Sequence, residues 1–306
     1  MSAEVALKPW AGDVDRGSKK RSSRFLSKLT RSRTGLLGSM ILALVVFCAI
    51  TAPYLAPFDP NYQTLEDRLI PPFAGQAEAK GHLLGTDHLG RDILSRLIYG
   101  SRVSLIVGLT AVTISCFMGC VLGLITGYQG GWIDEVIMRI GDVQLAFPFV
   151  LLVIAVVAVV GGGLLNEIIV IGITGWVGYA RVIREQVLSA REKEYVEAAR
   201  AIRVRIPVIL FRHILPNVLT PVLVQATMDL GSAILTAAAI SFIGLGVQPP
   251  TADWGEMIST GRIYFIERPW FAGSAGAAIF LVTLAFNLLG DAVRDAVDPR
   301  TRRSAS

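Results

Sequence analysis

Six apolar runs separated by charged intervals dominate the pattern along this chain: residues 36–54, 103–127, 140–160, 168–182, 218–245 and 272–289. Several reach the roughly 20 residues that a helix needs to cross about 30 Å of hydrocarbon. The fourth is short, bracketed by Glu167 and Arg181. The pattern predicts an all-α membrane protein with six transmembrane helices and both termini on one side. It divides the chain into a basic tail (1–35), a first transmembrane helix (36–55), an extracytoplasmic segment (56–99), a five-helix core (100–290) and a second tail (291–306).

Within the segment 56–99, Pro57, Pro60, Pro71 and Pro72 exclude a long helix early on. Further along, Ile93, Leu94, Leu97 and Ile98 cluster opposite Asp92, Ser95 and Arg96. That predicts a short interfacial helix before Gly100. His82 and His88 flank it, and without a third ligand they read as external surface residues. Gly119, Gly123 and Gly127 recur every fourth position on one helix face, a strip that lets backbones approach closely in lipid. Its partner is another helix of this chain or a second subunit. Pro148 should bend the third span.

Composition agrees with the pattern, since 53% of the residues are hydrophobic. The formal charge of +5 therefore describes loops rather than a soluble basic domain. Lys19, Lys20, Arg21, Arg24, Lys28, Arg31 and Arg33 precede the first span. The interval before the fifth holds Arg184, Arg191, Lys193, Arg200, Arg203, Arg205 and Arg212, and Arg294, Arg300, Arg302 and Arg303 follow the sixth. Opposite intervals lean acidic. The positive-inside rule then puts both termini and the loop 184–216 in the cytoplasm. The basic tail lacks aromatic interleaving, so lipid-surface contact is expected rather than nucleic-acid binding.

Chemistry is sparse. No Gly-Lys dipeptide exists to build a phosphate-cradling loop, and no nucleophilic triad or HExxH pattern occurs, so no catalytic residues are expected. Cys116 and Cys120 share a helix face but have no further ligands, so no metal site is expected. Asp229 is the single acid deep within a span, expected to face an interior or wet surface. It lines a substrate path or makes a structural hydrogen bond. Glu135, Arg139, Asp142, Glu167 and Asp291 sit near span ends, where snorkelling keeps them solvated.

The most informative interval is 194–221. Tyr195, Ala198, Ala199 and Ile202 fall at i, i+3, i+4 and i+7, one stripe of an amphipathic helix, with Glu194, Glu197 and Arg200 off it. Two alanines on the contact face allow close approach to a partner.

Glu197-Ala198-Ala199, followed by Ile214-Leu215-Pro216-Asn217, resembles the EAA loop of permease subunits in ATP-binding-cassette importers. Leu84-Gly85-Thr86-Asp87 with Leu89-Gly90-Arg91-Asp92, Ala146-Phe147-Pro148-Phe149, the run 241–250 and Asn287-Leu288-Leu289-Gly290-Asp291 narrow it. Together they resemble the second permease of dipeptide, oligopeptide or nickel systems. The resemblance implies a type I importer permease fold and a second homologous permease. It also implies two cytoplasmic ATPases that bind ATP and Mg, and an extracytoplasmic substrate-binding protein. It makes Tyr195, Glu197, Ala198, Ala199, Ile202 and Arg203 the ATPase-coupling residues. The loops 87–96 and 253–268 become candidate contacts for the binding protein. Arg203 stands where the family has glycine, so the turn is built differently or Arg203 makes a new contact. Pro207 is placed to open the next helix. The alternative is an ion-coupled carrier using Asp229, and a nickel chelate is the alternative cargo.

Overall fold

The computed structural model describes residues 32–73, 75 and 80–297. The basic stretch 19–31 and Arg300, Arg302 and Arg303 lie outside those residues. Apart from a single bridge between Thr86 and Asp92, regular structure among the described residues is helical.

Helix α1 (Arg33–Ile50) starts where Ser32 Oγ accepts the amide of Gly35 at 3.3 Å, a side-chain N-cap. A short turn, α2 (Ala52–Leu55), follows it. Helix α3 then runs unbroken for 37 residues, Ile93–Gln129, about 55 Å at 1.5 Å per residue. The separate interfacial helix expected before Gly100 is therefore the first two turns of this rod. A helical glycine costs only about 1 kcal/mol, and Trp254 lies over Gly100, so nothing breaks the helix there.

The third expected span is broken rather than bent. Helices α4 (Gly131–Leu145) and α5 (Phe149–Val160) meet at 92° across Ala146–Pro148. Proline has no amide to continue the ladder, and residue 147 before it is steered away from helical dihedrals. The fourth is also two pieces, α6 (Leu164–Thr174) and α7 (Trp176–Ala190), joined at Gly175. Neither piece is long and apolar enough to cross alone. Four described helices are: Arg33–Ile50, Ile93–Gln129, Ile206–Ile243 and Pro269–Val297, with the bent α4–α5 pair a fifth.

Past α7 comes a small helix, α8 (Glu194–Ala201), then the 38-residue rod. This rod begins as α9 (Ile206–Val208) with Pro207 in its first turn. It loosens to a π-type turn over Ile209–Ile214 and continues as α10 (Leu215–Ile243). A further short helix, α11 (Trp254–Gly261), leads to α12 (Pro269–Val297).

Helix α3 is the central post. It packs on α7, α6, α10 and α1, while α12 fills the angle between α1 and α10. The glycine strip settles one open alternative: its partner is α7 of the same chain. A Cβ on Gly123 would sit 2.6 Å from the Ala180 carbonyl oxygen, and one on Gly127 2.8 Å from Val187 Cβ. Such contact is available only to glycine. Large apolar side chains such as Leu44, Phe117, Val159, Leu223 and Phe280 point outward, as a lipid-facing or subunit-facing surface requires.

Candidate functional site

The interval 194–222 folds into a knob with two distinct faces. Val196 and Ala199 of α8 are buried, joining one apolar cluster with Val187 and Ala190 of α7, Ile209, Leu210 and Ile214 of the π-type turn, and Val218 and Val222 of α10. Tyr195, Glu197, Ala198 and Ile202 are exposed, Ile202 at 77%. The expected stripe is thus split. Ala199 belongs to the inner face, because Val196, which the stripe omitted, rotates that face about one residue toward the chain's own core.

The knob is pinned at both ends. Arg200 Nε donates to the Tyr128 hydroxyl at 3.2 Å, and its guanidinium lies 4.9 Å from that ring's centroid. Arg191 Nη1 donates to the Gly127 carbonyl at 3.1 Å. At the far end Arg203 takes φ +56°, the left-handed region. Its amide bonds the Arg200 carbonyl at 2.9 Å, and the Val204 amide bonds that of Ala199 at 3.0 Å. These are the paired bonds of a Schellman motif. Arginine therefore occupies the usual glycine turn without rebuilding it, against a steric cost of about 1–2 kcal/mol.

Inside the bundle, Asp229 lines a cavity of about 320 Å³ between α3, α10, the α4–α5 break and the Gly175 joint. Tyr179 and Ser115 share its wall. Tyr179 is 2% exposed, and its hydroxyl lies beside Asp229, close enough to interact but outside hydrogen-bonding geometry. Sequence reasoning found the acid but not the cavity, which exists because two helices break at the same depth.

The segments 57–96 and 250–268 depart furthest from expectation. Asp87, Arg91, Asp92 and Arg96 are each at most 2% exposed, so the segment 87–96 is not a docking surface. Asp87 Oδ1 accepts the amides of Leu89 and Arg91 at 2.8 and 3.0 Å, and Arg91 Nε donates to its Oδ2 at 2.6 Å. Asp92 caps α3 through the Ser95 amide at 2.7 Å. Arg96 Nη2 donates to Glu256 Oε2 on α11 at 2.8 Å, and Nη1 to the Pro60 carbonyl at 3.2 Å. Asp253 caps α11 in the same way, at 3.0 Å from the Glu256 amide. Burial raises the pKa of both Asp253 and Glu256, with Arg96 opposing it.

The two histidines lie within this clasp and not on its surface. His82 Nδ1 is 3.0 Å from Asp92 Oδ1, with its ring stacked 4.4 Å from Phe58. His88 stacks between Tyr264 and Phe271, where desolvation lowers its pKa. Glu167 does not snorkel: it is fully buried and neither carboxylate oxygen finds a partner among the described residues. Of the second expected contact loop, Arg262, Ile263, Phe265, Ile266 and Glu267 remain exposed.

Residues 119–303 match the family of binding-protein-dependent transport system inner membrane components. The chain belongs to that family. Residues 21–72 also match the N-terminal transmembrane domain of oligopeptide transport permease C. The di/tripeptide transport system permease protein DppC of Pseudomonas aeruginosa is 44% identical over 282 residues, covering 92% of this chain and 93% of that protein. The oligopeptide transport system permease protein OppC of Bacillus subtilis is 37% identical, covering 96% and 95%. The glutathione transport system permease protein GsiD of Pectobacterium atrosepticum is 40% identical, covering 91% of each. A solved inward-facing form of the MetNI methionine ABC transporter superposes with a TM-score of 0.52 at 17% identity, over 67% of this chain and 98% of that one. That likeness concerns the fold, the type I importer permease fold. Membership of this family leaves the ion-coupled alternative without support.

Proposed function

We propose that this chain is a peptide-translocating permease subunit of an ATP-driven importer, with six crossings and both termini cytoplasmic. The coarse role follows from the family. Peptide is favoured because relatives covering nine-tenths of the chain carry di- and oligopeptide names. The sixth crossing would be the α6–α7 pair, joined at Gly175. A second homologous permease would close the pathway on the side of the Asp229 cavity. Two ATPase subunits would bind ATP and Mg, which this chain has no loop to hold. An extracytoplasmic binding protein would deliver cargo to the outer face, where 262–267 is the accessible part.

One observation carries the coupling role. The α8 knob shows an exposed ridge of Tyr195, Glu197, Ala198 and Ile202 on one side. On the other, Val196 and Ala199 are locked into the apolar cluster that continues into α7 and α10. Force applied to the ridge reaches two membrane helices through close-packed, poorly compressible contacts. Arg203, at the outer corner of the knob, would contact the ATPase as well. In the reconstituted complex, Glu197→Ala should weaken ATPase docking about tenfold or more, as loss of an interface hot spot does. Membrane insertion should remain unchanged. Normal peptide-stimulated ATP hydrolysis in that variant would overturn the coupling role.

A further inference from the structure

We propose that the Asp229 cavity seats the free α-ammonium group of the peptide as it crosses, an inference that rests on the peptide-import reading above. A carboxylate within the bilayer is tolerated where it meets a cation or a wet interior. Asp229 is the one ionisable side chain lining this cavity apart from the Tyr179 phenol, and no Lys, Arg or His acts on it among the described residues. With only neutral neighbours such as Gln225 and Tyr179, the carboxylate is open to a cation supplied by a ligand.

The polar atoms around it suit an ammonium. Such a group carries three N–H donors and needs three acceptors. Asp229 supplies a carboxylate. The Tyr179 hydroxyl, buried without a partner, supplies an oxygen beside it. Ser115, also in the wall, donates its Oγ proton to the Gly172 carbonyl at 2.8 Å, so toward a ligand its oxygen could act only as an acceptor. The remaining wall mixes apolar side chains such as Val112, Phe147 and Leu152 with the uncharged polar Gln144, Thr174, Ser232 and Thr236. About 320 Å³ lies at the small end of the range of ligand pockets, enough for a terminal residue but not for a long peptide. One fixed charge in an otherwise uncharged wall fits cargo whose amino terminus is constant and whose side chains vary.

The test uses the whole complex in vesicles, with both permeases, both ATPases and the binding protein. Its probes are a labelled dipeptide and the same dipeptide lacking the α-amino group, chosen so that titration shows the binding protein holding both. Wild type should take up the free-amino probe faster. Asp229→Asn should slow that probe about 10- to 100-fold, the scale of a lost charge-assisted hydrogen bond, and leave the des-amino probe unchanged. Tyr179→Phe should slow the free-amino probe several-fold, with the same selectivity. Equal slowing of both probes by Asp229→Asn, or slowing of neither, would overturn the proposal. Failure of the wild-type complex to import either probe would instead sink the peptide-import reading itself.

Discussion

Replacing Gly123 by alanine should be among the most damaging single-methyl changes available in this chain. The added carbon would sit 2.6 Å from the Ala180 carbonyl oxygen and 2.8 Å from Ile183 Cβ, where ordinary contact begins at about 3.4 Å. Both neighbours are held by the backbone of α7, so no side chain can swing aside. The helices must separate by roughly 1 Å, which forfeits a quarter to a half of the dispersion well along the seam. Overpacking of this kind costs typically 1–3 kcal/mol. Within lipid no hydrophobic gain offsets it, because packing is itself the main force between helices. Gly119→Ala meets the Trp176 carbonyl oxygen at 2.7 Å and should cost a similar amount. The combined Gly119, Gly123 and Gly127 variant should cost less than the sum, since the first separation makes room for the rest. Gly273→Ala on α12 is the control. Nothing lies within 4 Å of its added carbon, and the helix should gain up to about 1 kcal/mol. Detergent-titration unfolding of the purified complex, followed by tryptophan fluorescence, reads these differences. A Gly123→Ala midpoint indistinguishable from that of Gly273→Ala would show that α3 and α7 do not meet along this face.

Other consequences are as specific. Arg203→Gly should stabilise the knob by about 1 kcal/mol, by removing a side chain from a left-handed residue; a lower melting temperature would rule out the Schellman turn. Arg96→Met should cost about 3–5 kcal/mol, because it leaves Glu256 buried without its cation; a loss under 1 kcal/mol would mean the clasp is solvated. Burial raises Asp253 and Glu256 above their ordinary values, so the folded state holds their protons more tightly than the unfolded chain does. Their contribution should therefore strengthen as pH falls through the raised values, and level off near the usual carboxylate range of about 4. The melting temperature of the complex between pH 8 and 5 should carry that slope, and Glu256→Gln should flatten it. An unchanged slope in the variant would exclude Glu256 as its source.

How much of this was legible in the chain varies by the range of the contact involved. The glycine strip and an interruption at Pro148 are local properties, and local pattern carries them, whereas arginine's identity suggested a rebuilt turn at 203 that the backbone does not show. The outer clasp is not local. Asp92, Ser95 and Arg96 form a polar helical stripe, which by itself reads as a solvated face. Arg96 is buried only because Glu256, 160 residues later, arrives on α11 to meet it. The same limit applies to Glu167, whose place near a span end suggested snorkelling. The Gly163 amide instead bonds the Gly246 carbonyl at 2.9 Å, and that crossing of loops helps close over the start of α6. Asp229 stood out as a solitary acid, but the space beside it comes from two helix breaks that periodicity smooths over. On the knob, a one-residue rotation moved Ala199 inward. Val196 was the missed signal, an apolar residue in the first turn between Tyr195 and Glu197.

The central claim is that the α8 ridge is the surface on which an ATPase acts. A photo-crosslinking phenylalanine analogue at position 195, with a second at Val159 as a control, tests it within the intact complex in its native membrane. The account predicts that position 195 captures the ATPase subunit in high yield while position 159 does not. Capture of lipid alone at position 195, or of the extracytoplasmic binding protein, would contradict it.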